Sequence, residues 1–257
     1  MKNFIENFGK KIVAPVYYFG SLILLIGNSL KKAFTERKRE NILKHIEEIG
    51  INSLPLVGVI AIFTGMILVM EIGHTLKAFG AETYSGALVG LSMARELGPV
   101  LVALTLAGRV GASIAAEIGV MKITEQIDAL KVLAIDPVSY LISPRVIAGI
   151  FSLPALFVIS FFLAIGGAFL IGVFLIKIPS GQFLYQSFRF ISYKDFLVGF
   201  IKVIVFAIVV INVSSYEGLK AKGGAEGVGD ASTSAVVKSF FLIILTNLIL
   251  TGIFYFV

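Results

Sequence analysis

A chain of 257 residues that is 57% hydrophobic and 15% charged, with a mean hydropathy of +0.95, has the composition of a membrane protein. It has no cysteine, which excludes disulfides, thiolate catalysis and cysteine-ligated metal. Its two histidines, His45 and His74, lie too far apart in sequence to read as a zinc pair. The net charge of +6 fits basic segments anchoring a membrane chain better than nucleic-acid binding.

Residues 1–11 are short and basic. Ile12 to Leu30 is an apolar run of about 19 residues, near the spanning minimum. It is bracketed by Lys10, Lys11, Lys31 and Lys32 and contains Pro15, Gly20 and Gly27. It could span, act as a signal peptide or lie in the interface. No small-x-small cleavage site follows it, which disfavours a signal peptide. Basic residues on both sides favour an interfacial helix that enters and leaves on one face. Lys31 to Ile49, with Glu36, Arg37, Lys38, Arg39 and Glu40, reads as a helix with a solvated charged face. Ile51 to Met70, about 20 residues without charge, is the first span. Glu71, Gly73, His74 and Lys77 mark its end, with His74 a loop or interfacial residue rather than a ligand.

The second span, Gly86 to Glu117, is roughly 30 residues, or about 45 Å of helix. It exceeds the hydrocarbon thickness, so it must tilt, bend at Pro99 or project. Small residues recur every fourth position along it: Gly86, Gly90, Ala94, Gly98, then Ala103, Ala107, Gly111, Ala115, Gly119, with a second row of Gly108, Ala112, Ala116. Such rows are where helices approach closely in lipid. The same span carries Arg95, Glu96 and Arg109. Ionisable groups at depth face a cavity, a partner or the protein interior. Adjacent Arg95 and Glu96 point about 100° apart on a helix, so they do not simply neutralise each other. Either they make ion pairs between helices or they face a functional cavity; the second reading is favoured, most of all for Glu96. Pro99 should kink the helix or free a backbone carbonyl.

From Gly119 to Pro144 the chain becomes polar. Ile123, Ile127, Leu130 and Ala134 form one helical stripe, with Glu125, Asp128 and Lys131 off it. Thr124 is placed to cap this helix, with acids in its first turn. The pattern alone fits an interfacial loop and a docking element equally. Val146 to Ile176 is one long span, kinked through Pro154. Lys177 to Asp195 reads as a polar loop with an aromatic belt of Phe183, Tyr185, Phe188, Phe190 and Tyr193. Phe196 to Val213 is the fourth span, with Lys202 near its start expected to snorkel. Ser214 to Ser234 reads as a glycine-rich loop, and Ala235 to Val257 as the fifth span. The loop is no phosphate-binding GxxxxGK[ST] motif, since Gly229 is followed by Asp230; if ATP drives this protein, another subunit binds it. With five spans, fifteen Lys/Arg fall on the side of the N-terminus and of the 119–144 segment and five on the other, so the N-terminus is expected in the cytoplasm and the C-terminus outside.

The stretches ARELGPVLVALTLAGRVGASIAAEIGVMKITEQIDAL, LAIDPVSYLISPRVIAG and GVGDASTSAVV resemble the MlaE/YrbE permease family, membrane subunits of ABC-type lipid transporters that work with MCE-domain proteins. The resemblance runs from about Ile49 to the C-terminus. It implies an all-α integral membrane fold in a single permease domain, residues 1–257. An N-terminal cytoplasmic or interfacial region with an elbow helix (1–49) precedes a five-span core (50–257). A short cytoplasmic coupling helix lies between spans two and three. It implies a homodimer in the bacterial inner membrane, cytoplasmic ABC ATPase subunits that carry ATP and Mg, a periplasmic MCE hexamer, a small STAS-type cytoplasmic subunit in some systems, and phospholipid as substrate. No cofactor is bound directly, and no catalytic residue, metal site or nucleic-acid partner is expected. The coupling helix would dock through Met121, Ile123, Thr124, Glu125, Ile127, Asp128, Leu130 and Lys131. Arg95 and Glu96 match the family's charged pair beside the lipid cavity, which would include Leu68, Val69 and Ile72. Ala103, Ala107, Gly108, Gly111 and Ala115 remain the helix-packing positions. The expected function is phospholipid movement between the inner membrane and an MCE protein, supporting outer-membrane lipid asymmetry. The alternatives are an ion-gradient-driven secondary transporter or channel, which would show more acids at depth and inverted repeats, and a lipid-modifying enzyme, for which no nucleophile–base pair is visible.

Overall fold

The computed structural model describes residues 2–35 and 39–256. Glu36, Arg37 and Lys38 of the expected charged face, and Val257 at the expected end of the fifth span, lie outside the described residues. All regular structure among the described residues is helical. Helices α1 (Lys2–Thr35) and α2 (Arg39–Ile49) precede α3 (Leu54–Lys77). The second span is a stack of α4 (Ser85–Ser92), α5 (Gly98–Leu106) and α6 (Ala112–Ile123). These are joined by π turns at Met93–Leu97 and Ala107–Gly111. Then follow α7 (Gln126–Val132), α8 (Ser143–Phe174), α9 (Ser180–Arg189), α10 (Tyr193–Leu219) and α11 (Ala225–Phe256).

Among the described residues five stretches are long and apolar enough to cross a membrane: Ile42–Lys77, Glu82–Ile123, Val138–Phe174, Tyr193–Leu219 and Ala225–Tyr255. The 31 to 42 residues of four of them exceed the ~20 needed to span, so their ends reach into the headgroup layer. The run from Ile12 to Leu30 belongs to the single helix α1. That helix packs on the fourth span through Leu22 and through a Ser29 hydroxyl bonded to Asn212 Oδ1 at 2.7 Å. Its last turn is tied to the stretch between α7 and α8 by Lys32–Asp136 at 2.6 Å.

Several boundaries differ from the sequence reading. The polar stretch 177–195 contains α9, and Phe183, expected in an aromatic belt, is fully buried beside Gly86 and Gly172, while Tyr185 and Tyr193 point outward. The stretch Ser214 to Ser234 is almost wholly helical. Its turn is reduced to residues 220–224, where Gly223 and Gly224 take φ of +86° and +80°, values that cost other residues strain. Its serines and glycine mislead because small polar residues also line helix contacts: Ser214 and Gly218 are buried against the second span, and Ser215 is buried beside them. Thr124 does not cap α7. Its hydroxyl bonds back to the Val120 carbonyl, and Glu125 occupies the N-cap at φ 61° without a side-chain cap.

The small-residue rows are contact surfaces. Ala94, Ala103, Ala107 and Ala115 are fully buried. A side chain at Gly199 would meet the Ala94 carbonyl, and one at Gly218 the Ala115 carbonyl, so the second and fourth spans touch backbone to backbone. The first and third spans interlock the same way, Gly65 against the Ala164 backbone and Gly167 against that of Ile62. In the second row Gly108 has no neighbour within 4 Å, while Ala112 and Ala116 are half-buried. Gly167→Val should therefore lose about 1–3 kcal/mol of stability through overpacking, whereas Gly108→Val should change it by less than about 0.5 kcal/mol; thermal unfolding of both variants in one detergent checks the contrast.

Candidate functional site

Arg95 and Glu96 lie in the first π turn, immediately before Gly98 and Pro99. In a regular helix the Arg95 carbonyl would accept from the N–H four residues on, but that residue is Pro99, which has none. Lys202 of the fourth span takes the freed position. Its Nζ donates to the Arg95 carbonyl at 3.2 Å, to Glu96 Oε1 at 2.7 Å and to Thr251 Oγ1 at 2.8 Å, using all three ammonium hydrogens. Thr251 donates in turn to Glu96 Oε1 at 3.0 Å, and Asn247 Nδ2 donates to Oε2 at 3.0 Å. Glu96 is thereby held from the second, fourth and fifth spans together.

Arg95 turns the other way. Its Nε donates to Asp195 Oδ1 at 2.7 Å, and its guanidinium stacks 5.2 Å from the Tyr255 ring centroid. Asp195 is buried and serves twice, because its Oδ2 also accepts the Ser192 N–H and completes a capping box at the start of α10. The network has a closed half and an open half. Lys202 is inaccessible, while the Arg95 and Glu96 side chains keep 37% and 35% of their surface exposed. A cation and an anion fixed side by side at depth can hold a dipolar or phosphate-bearing group. π turns recur at functional positions in helices.

The family sequence model described as Permease MlaE matches residues 42–253. The chain belongs to this family. It is similar to the intermembrane phospholipid transport system permease protein MlaE of Haemophilus influenzae, 35% identical over 255 residues and 98% of each chain. It is also similar to a probable ABC transporter permease protein of Rickettsia prowazekii, 42% identical over 214 residues and 83% of each chain. A probable ABC transporter permease protein of Synechocystis is 37% identical over 217 residues, 84% of this chain and 82% of that one. The protein is a multi-pass ABC permease, the membrane subunit of a transporter.

The remaining residues expected from the family motif are placed unevenly. Val69 is fully buried in the core between the first and third spans, and Leu68 and Ile72 pack against that core. The open groove of about 710 Å³ in this region is lined instead by the adjoining face, Ile67, Met70, Gly73 and His74, with Leu175 and Ile176 opposite. On α7 the apolar stripe also turns inward: Ile127 is 2% exposed in the main core, against which Leu130 and Met121 pack. The outward face carries Lys131, Val132 and Leu133, the last two 87% and 68% exposed. Asp128 is bonded by Lys131 at 2.7 Å and Lys122 at 3.1 Å, which holds its carboxyl below the usual range and braces the turn between α6 and α7. Ala103, Ala107 and Ala115 are fully buried, Gly111 lies against Ser214 and Val210, and Gly108 has no neighbour within 4 Å.

Lys202, Asp195, Asn247 and Thr251 complete this network, and the sequence reading does not find them. Lys202, expected to snorkel toward water, is instead completely enclosed. A clue is present: two opposite charges and a proline-freed carbonyl in one span need partners, and the fourth span holds a single basic residue well inside its apolar run. Lys202→Met should leave Glu96 uncompensated and cost about 2–4 kcal/mol, toward the low end because Glu96 is partly open; the exposed Lys194→Met should cost next to nothing in the same unfolding assay.

Proposed function

We propose that this permease moves phospholipid, with Glu96, Lys202 and Arg95 forming the charged wall of its lipid path. The observation that carries this reading is the half-open network itself, an Arg–Glu pair held at depth with a solvent-free lysine behind it. It lies beside α11, which is largely uncovered in the single chain and presents Phe241, Ile244, Leu248 and Ile249 outward. An apolar face next to fixed charges suits acyl chains below a phosphate headgroup. The Haemophilus relative is named for phospholipid transport between membranes, which agrees. In this reading two copies meet across the α11 faces and enclose the lipid. A separate cytoplasmic ATPase supplies ATP hydrolysis, and an MCE hexamer receives or delivers lipid on the far side, with a STAS-type subunit in some assemblies. In this reading the protein sits in a bacterial inner membrane with the N-terminus and α7 on the cytoplasmic side, an orientation that the charge bias of the loops supports.

The ATPase would dock on the outward face of α7, through Lys131, Val132 and Leu133, and not through the buried stripe. A push there moves α6, and with it the second span that carries Arg95 and Glu96. Transport requires that the two conformations hold lipid differently. An ion-gradient mechanism fits less well, because the carboxylates that face another span, Glu96, Glu117, Asp195 and Glu217, are each paired with a base at 2.6–2.7 Å.

Two experiments test this reading. In proteoliposomes holding the permease with its ATPase, Glu96→Lys and Lys202→Glu should each cut phospholipid transfer at least tenfold. The double swap should restore thermal stability without restoring transfer. Recovery of transfer by the double swap would reduce the pair to a structural ion pair. Separately, Val132→Asp with Leu133→Asp should abolish co-purification of the ATPase while leaving the unfolding temperature unchanged. Ile127→Asp should instead lower that temperature, because it places a charge in the core.

A further inference from the structure

A second charged site lies at the α7 end of the molecule, away from the Glu96 network. Five basic side chains sit seven or more residues inside a candidate span: Arg95, Arg109, Arg145, Lys202 and Lys238. Four of them meet a carboxylate at 2.6–2.7 Å: Arg95 with Asp195, Arg145 with Glu117, Lys202 with Glu96 and Lys238 with Glu217. Arg109 is different. Its Nη1 donates to the Glu48 carbonyl at 3.2 Å and to Ser53 Oγ at 2.5 Å, both neutral acceptors, and it forms no ion pair among the described residues. The second π turn, Ala107–Gly111, carries it, and it is exposed to a cavity of about 400 Å³.

The other charges of that cavity are already matched. Arg145 is 3% exposed and bridges Glu117 at 2.6 Å and the Leu141 carbonyl at 2.8 Å. The Glu48 carboxylate is paired with Lys44 at 3.7 Å and shares a hydrogen bond of 3.0 Å with His45 Nδ1. Of the cavity's charges Arg109 alone has no ion-pair partner among the described residues; Asn52 and Ser113 lie beside it, and Ile49, Val110 and Ile114 form an apolar wall. A guanidinium inside a membrane span without a counter-ion calls for an anion, and its planar fork suits phosphate oxygens.

We infer that this cavity binds a phosphate group through Arg109, as a regulatory or loading site distinct from the Glu96 network. A lipid phosphodiester fits better than free phosphate. Glu48 and Glu117 on the wall oppose a dianion, whereas a phosphodiester carries one negative charge. Glu48, Glu117 and Arg145 each lie six or seven residues from the α7-side end of a span, about 10 Å along a helix, and Arg109 reaches toward them from deeper in the second span. The aliphatic wall would receive the first methylenes.

The test uses the full chain, delipidated in detergent, with the unfolding temperature followed against added dioleoyl phosphatidylglycerol, dioleoylglycerol or inorganic phosphate. The wild type should be stabilised by the phospholipid and not by the diacylglycerol. Arg109→Gln should raise the half-saturating phospholipid concentration about tenfold. Ser113→Met, which fills the cavity while leaving both Arg109 hydrogen bonds, should do the same and carries the test if Arg109→Gln does not fold. Glu96→Gln should leave the Arg109-dependent component in place, which separates this site from the proposed lipid path. The same Arg109-dependent stabilisation by inorganic phosphate would assign the site to a soluble anion. Stabilisation indifferent to both substitutions, or equal with diacylglycerol, would overturn it.

Discussion

An ammonium ion enclosed among apolar helices survives only if every hydrogen it carries is accepted and its charge is met. Lys202 satisfies this with three acceptors, and each restricts a different part of the molecule. Through the Arg95 carbonyl it stabilises the π turn that Pro99 imposes. Through Glu96 it fixes the second span against the fourth, and through Thr251 it recruits the fifth. The glycine contacts around it make this geometry reachable, since Gly199 lets the fourth span approach the Ala94 backbone closely enough for a lysine one turn on to reach across. Charge pairing and close packing here are one device.

The same logic is repeated at the other charges. Arg145 and Glu117 join the second and third spans, Glu217 and Lys238 the fourth and fifth, and Arg95 and Asp195 the second and fourth. Apolar surface alone does not hold helices together in lipid, because lipid tails are as apolar as leucine. Ion pairs and small-residue ridges supply the specificity that a hydrophobic core supplies in water. In the second span, helical regularity breaks where a charged side chain must be presented. One π turn carries Arg95 and Glu96, and the other carries Arg109.

Much of this is legible in the sequence. Long uncharged runs and their spacing determine five spans, because lipid leaves the backbone no alternative to helix. The four-residue rows identify the packing face of the second span. The adjacency of Arg95 and Glu96 implies that they do not neutralise each other, and in the structure each pairs elsewhere. What cannot be read is partnership across a hundred residues. Asp195 looks like the end of a loop and Lys202 like an anchor, since neither helical periodicity nor hydropathy says which residue of one span faces which of another. Ile127 misleads for a related reason: an amphipathic stripe states that a face is apolar and not whether a partner or the protein's own core covers it. Serine and glycine at 214–234 resemble a loop because composition does not separate flexible backbone from small-residue packing.

The counter-charges of the second span lie far along the chain, Asp195 a hundred residues after Arg95 and Lys202 a hundred and six after Glu96. The second span is also the least hydrophobic of the five, with a mean hydropathy of 1.6. During synthesis it leaves the ribosome with its charges and its proline-freed carbonyl unanswered. It stays an incomplete membrane element until the fourth span has been made. Maturation of this protein is therefore coupled across the chain: the charges of Arg95 and Glu96 are met only once the fourth span has been made and packed beside the second.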